Sequence, residues 1–140
     1  MANLANYFTA DVLNAVFRTA SFTAPASLYV CLCTATPTNT DTGALTSEEC
    51  SGNGYARVAV APGTANWTTV NNGTLSNANS ISFGPASGSG WGTVTAVAVT
   101  DNSTVGSGNL FYFGTLVSSK VIGGSDSLSF AANNLTLGLA

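Results

Sequence analysis

Residues 28–33 read LYVCLC and residues 93–100 read TVTAVAVT. In the first run Leu28, Val30 and Leu32 alternate with Tyr29, Cys31 and Cys33, the side-chain alternation of a strand buried on one face and largely apolar on the other. Further strand-like runs lie at 55–61 (YARVAVA), 80–83, 110–116 (LFYFGTL), 120–122, 127–131 and 135–139, with a weaker one near 67–70. The breaks between them are turn chemistry, including Asn72-Gly73, Gly84-Pro85, Asp101-Asn102 and Gly123-Gly124. About seven or eight short strands with such punctuation predict a mainly β fold, an antiparallel sandwich or jelly roll rather than a parallel α/β sheet.

Upstream of these runs the period changes. In residues 3–20 Leu4, Phe8, Val12 and Val16 fall four apart, flanked by Leu13, Phe17 and Ala20, while Asn6, Asp11, Asn14 and Arg18 take the other side. That pattern predicts a short amphipathic helix, with Asn3 or Thr9 available as an N-cap and Pro25 ending any continuation. The expected organisation is a helix or arm over 1–24 and one β domain over 25–140. A polar segment, 36–54, is long enough to expect a functional or mobile loop.

The 140 residues carry 6 acidic and 3 basic side chains and no histidine, for a net charge of −3. Only 6% are charged, against about 25% in an ordinary soluble domain, so Ser, Thr, Asn and Gly must build the surface. Three cations, Arg18, Arg57 and Lys120, cannot neutralise a run of phosphates or hold a polybasic contact with a bilayer, so neither nucleic acid nor membrane is an expected partner. Without a basic and apolar leader, synthesis and folding in a cytoplasm are expected.

Catalytic chemistry has few carriers. The absence of histidine removes Ser-His-Asp and Cys-His constellations. Asp101 and Asp126 sit at turn positions, and Glu48-Glu49 reads as a solvated loop pair rather than a calcium site. Cys31, Cys33 and Cys50 are an odd set expected to be free thiols, and zinc would lack further ligands. No cofactor, metal or catalytic residue is therefore expected. Four Asn-x-Ser/Thr matches, among them Asn66-Trp67-Thr68, read as coincidence in so polar a chain. Tyr55, Trp67, Trp91, Phe111, Tyr112 and Phe113 are expected to fill a core or an oligomer interface, with a sugar-stacking face as the competing reading. Tyr55 and Arg57, two apart on a strand, should face one side.

The segments LYVCLCTATP (28–37), GYAR (54–57), WGTV (91–94), LFYFGTL (110–116) and DSLSF (126–130), with a leading helix ending in FRTASF, together resemble a family of small tailed-bacteriophage virion proteins. Its members are labelled tail fibre proteins or head decoration (cement) proteins. Cys33 departs from the pattern, since relatives often carry histidine there. The resemblance implies a non-enzymatic virion protein made in the bacterial host cytoplasm. The favoured expectation is a capsid cement protein on the outer shell, a homotrimer bound to the major capsid protein. The alternative is a tail or fibre component with a host-glycan role. On the cement reading Leu4, Tyr7, Phe8, Val12, Val16, Arg18, Glu48 and Glu49 are interface candidates, and Tyr55, Arg57, Trp67, Trp91, Phe111 and Phe113 are expected to be structural.

Overall fold

A computed structural model describes residues 3–139. Their elements are β1 (Asn3–Leu4), α1 (Asn6–Phe17), β2 (Tyr29–Cys33), β3 (Val58–Ala59), β4 (Thr74–Ser76), β5 (Ile81–Phe83), β6 (Gly92–Thr100), β7 (Leu110–Ile122), β8 (Leu128–Phe130) and β9 (Thr136–Gly138). All strand pairings are antiparallel, so the chain is mainly β with one short N-terminal helix, as the periodicity predicts.

The principal sheet runs β1-β7-β6-β2-β3, and β4-β9 and β5-β8 form two separate ribbons. The two long apolar runs become adjacent strands, with Val30 opposite Val99 and Leu32 opposite Val97. Because side chains alternate along β2, Val30 and Leu32 enter one apolar cluster and Cys31 and Cys33 another. The first cluster takes Leu75, Ile81, Phe83, Leu128 and Leu137 from the ribbons, which therefore cover that face of the sheet. On the other face Cys31, Cys33, Ala96 and Ala98 meet Ala5, Leu45, Leu110 and Phe113. Small residues line this side because a loop, rather than a second sheet, lies across it.

Three details differ from the sequence reading. The helix is shorter than residues 3–20, because Asn3 and Leu4 are spent pairing with Phe113 and Tyr112 as an edge strand. Its N-cap is Ala5 with no side-chain cap, and the Thr9 hydroxyl donates instead to the Ala5 carbonyl within the first turn. The chain leaves the helix where Thr19 takes a left-handed φ of 54°. The runs at 110–116 and 120–122 form one strand, because the interruption at Val117-Ser118-Ser119 is a bulge and not a turn: β6 steps from Ala96 to Val94 while β7 steps from Thr115 to Lys120. Residues 67–70 contribute only a bridge from Trp67 to Asn77, and the strand forms after the Asn72-Gly73 turn, at β4.

Fully buried Asn77 joins the chain's late segments. Its amide nitrogen donates to the carbonyls of Asn79 and Ala131, and its side-chain oxygen accepts the Leu135 N–H at 2.8 Å. All its polar capacity is met within protein, so burial carries no orphan cost there.

The three cysteines are free and buried. Burial, reinforced by the Glu49 charge, pushes the Cys31 thiol up to about 12 and Cys50 up to about 11, and Cys33 is raised too, first by burial. Between the ordinary thiol value and these raised ones the folded chain holds protons that the unfolded chain has lost, so stability falls as pH rises. Urea unfolding midpoints should hold steady up to about pH 8 and decline from about pH 9 upward. A thiol reagent at pH 8 should label no cysteine in the folded protein and all three in urea.

Candidate assembly site and the buried polar node

Arg57 and Glu49 define the polar centre. Arg57 follows the GYA turn into β3, and Glu49 makes an isolated bridge to Cys33 at the end of β2, so the strand ends bring them together inside the domain. Arg57 Nη2 and Nε donate to Glu49 Oε2 and Oε1 at 2.6 and 2.8 Å, a two-pronged pair with both side chains shielded from solvent. Nη1 donates to Thr100 Oγ1 and to the carbonyls of Asn102 and Ser107, and Nη2 also to the carbonyl of Gly43. All five guanidinium donors are engaged. Burial works against the Arg57 charge, but the hydrogen bonds and charge of Glu49 override it and raise its pKa. The Tyr55 hydroxyl accepts the Leu32 N–H and donates to Glu49 Oε1, both at 2.9 Å. Burial pushes that phenol far up, so it remains a donor at any working pH.

Tyr55 and Arg57 do face one side, and they meet at Glu49 rather than stacking on each other. Glu49 is therefore no solvated partner of Glu48, which is the correction to the loop-pair expectation: its neighbour Cys50 donates to the Leu32 carbonyl, which continues the β2 edge and turns the Glu49 side chain inward. Nor is Glu49 available to an incoming partner surface. Glu48 stays half-buried, and its carbonyl takes the Thr34 N–H at 2.7 Å.

The node holds two loops together. Gly43 donates to the Gly108 carbonyl at 2.9 Å, and a Cβ on Gly43 would lie 2.5 Å from that backbone, so only glycine allows the approach. Asp101 accepts from the backbone and side chain of Asn109, and Asp126 from Gly123 N, as their turn positions suggest. Asp41 accepts the Thr38 N–H. Four carboxylates, Asp41, Glu49, Asp101 and Asp126, are thus committed within the chain. Among the described residues no three Cys, Asp or Glu side chains gather as a metal site.

The N-terminal candidates occupy a second region. Leu4 is half-buried opposite Tyr112. Phe8 packs on Phe22, Phe111 and Tyr112 with ring centroids 5.4–6.1 Å apart, and Tyr7 meets Phe111 edge-on. Val12 is half-buried. Leu13, Val16 and Phe17 point outward at 51%, 66% and 78% exposure, and Arg18 lies exposed at the helix end. No residue of α1 is fully buried, so the helix carries one apolar stripe on the sheet and a second with no partner among the described residues. Beside it opens a groove of about 400 Å³ lined by Phe8, Phe22, Leu28, Trp67 and Leu137, among others, and by no charged side chain. Trp67 Nε1 is the one buried side-chain polar atom among the described residues that lacks a hydrogen bond.

Trp67, Trp91, Phe111 and Phe113 are buried and Tyr55 half-buried, so these aromatics build the core and not an exposed stacking face. Trp91 Nε1 donates to the Asn53 carbonyl. Sequence reasoning counted Leu13 and Phe17 as flanks of the sheet-facing stripe and did not offer them as interface residues, whereas the structure turns both outward. It also missed Thr100 and Gly43, which nothing local marks.

The fold and site define a mainly β domain with its polar chemistry turned inward and an apolar helix stripe turned outward. A family model described as Podophage GP4 fiber I protein gp80 matches residues 3–138, and the chain belongs to that family of phage virion structural proteins. No curated protein matches the chain. Among the described residues no helix is long and apolar enough to cross a membrane.

Replacing Glu49 by Gln or Arg57 by Met should each cost about 3–5 kcal/mol in urea unfolding, because the survivor is left as an unpaired buried charge. The Glu49→Gln/Arg57→Met double variant should lose less than the sum of the two. Gly43→Ala should destabilise as well, through the clash with Gly108.

Proposed function

We propose that the protein is a non-enzymatic structural subunit that is held on the podophage particle through the outward apolar stripe of α1. The observation that carries this reading is the exposure of Leu13, Val16 and Phe17 on a helix packed against the sheet by its other side. With 6% charged residues, few charges need desolvation when such a surface is covered. The burial of both tryptophans removes the platform that a glycan-stacking tip would present.

The family's description as a fiber protein favours a place in a fibre, with this domain seated on neighbouring subunits. A second reading, capsid cement, has a specific support: the chain folds around its own two apolar clusters without coiled-coil heptads or repeats, which suits trimers sitting on the outer shell against the major capsid protein and bridging capsomers. Copy number separates the two. Quantitative mass spectrometry of purified particles should give far fewer copies than the major shell protein for a fibre component. A ratio near one would overturn the fibre placement in favour of cement.

A Leu13→Ser/Val16→Ser/Phe17→Ser variant should fold with wild-type circular dichroism, yet its occupancy on particles should fall at least about tenfold, as loss of a central apolar anchor implies. Wild-type occupancy would refute docking through α1.

A further inference from the structure

The outer edge of β7 is open over much of its length. β1 and the following Ala5 cover only Phe111 to Phe113, and within the bulge Leu116–Ser119 pairs with no strand among the described residues. Val117 and Val121 stand at 109% and 66% exposure. A groove of about 610 Å³ runs beside this segment, lined by Leu116, Val117, Ser118 and Lys120 from β7 and by consecutive residues from Ser127 to Phe130 around β8. Consecutive residues of a strand point to opposite faces, so a groove that they line together is bounded by strand edges and not by one face. β8 itself pairs with β5 alone.

We propose that this edge pairs with the same edge of a second copy of the chain, antiparallel and centred on Ser119. The side chains over 117–121, Val-Ser-Ser-Lys-Val, make the segment its own complement. In that register Val117 of one copy lies opposite Val121 of the other, Ser118 opposite Lys120, and Ser119 opposite itself. The exposed valines cover one another on one face, and the two lysines are kept apart. Sliding the register by one residue sets Val117 against Lys120 or Val121 against Ser118, and centring it on Lys120 brings the two cations together. A two-fold contact, which joins the same patch on two copies, is the commonest symmetry among oligomers of one chain. Bulges and lysines also serve to guard an edge, but two exposed valines four residues apart do not. The contact lies outside α1 and does not rest on the docking proposed for that helix. It joins copies two by two, and so can link neighbouring groups of subunits.

The register singles out one residue that faces itself. In the full chain under mild oxidation, Ser119→Cys should form a disulfide-linked dimer at least about tenfold faster than Ser118→Cys or Lys120→Cys, since a disulfide needs Cβ atoms about 3.5–4.5 Å apart. The native cysteines are buried and should stay out of the reaction. Adding Val117→Lys to Ser119→Cys should abolish the preference, while circular dichroism reports an unchanged fold. Equal rates at the three positions, no dimer at any of them, or a preference that survives Val117→Lys would each overturn the proposal.

Discussion

The buried pair of Arg57 and Glu49 is the constraint around which this domain is arranged. Two opposite charges removed from water are tolerable only when every donor and acceptor around them is satisfied. Here the satisfaction comes from the carbonyls of Gly43, Asn102 and Ser107, the Thr100 hydroxyl and the Tyr55 phenol. The three carbonyls belong to segments outside the strands, whereas Thr100 closes β6. The pair therefore converts two irregular loops into fixed structure, and the Tyr55 hydroxyl and Cys50 N–H meet the open edge of β2 at Leu32, where β3 has already ended.

Turning the polar groups inward has a consequence for the surface. Glu49 and Arg57 are two of only nine charged residues, six acidic and three basic, and neither reaches solvent. What remains outside is poor in charge and rich in hydroxyls, interrupted by the apolar stripe of α1 and the bare edge of β7. A surface of that kind is poorly suited to ionic recognition and well suited to being covered by other subunits, in keeping with the virion structural family to which the chain belongs.

Much of this was legible in the residues. The alternation in 28–33 and 93–100 predicts the two strands that pair at the centre of the sheet, and the four-residue spacing of Phe8, Val12 and Val16 predicts α1. The misses share a physical cause, which is that long-range pairing overrides local preference. Asn3 would cap a helix had β7 not claimed it as a strand residue. Val117-Ser118-Ser119 reads as a break because a bulge and a turn look alike until the partner strand is known. Glu49 reads as a solvated acid because its partner lies eight residues along the chain, beyond a turn. The interface candidates were legible as a helix but not as a face, since only the packed sheet reveals which stripe is left over.

Docking through α1 should cover that helix in the particle and leave the interior unchanged, which amide hydrogen exchange on the free subunit and on intact particles reads out. Residues 6–17 should gain strong protection in the particle while β2 and β6 exchange equally slowly in both states. Equal exchange of α1 in the two states would contradict it.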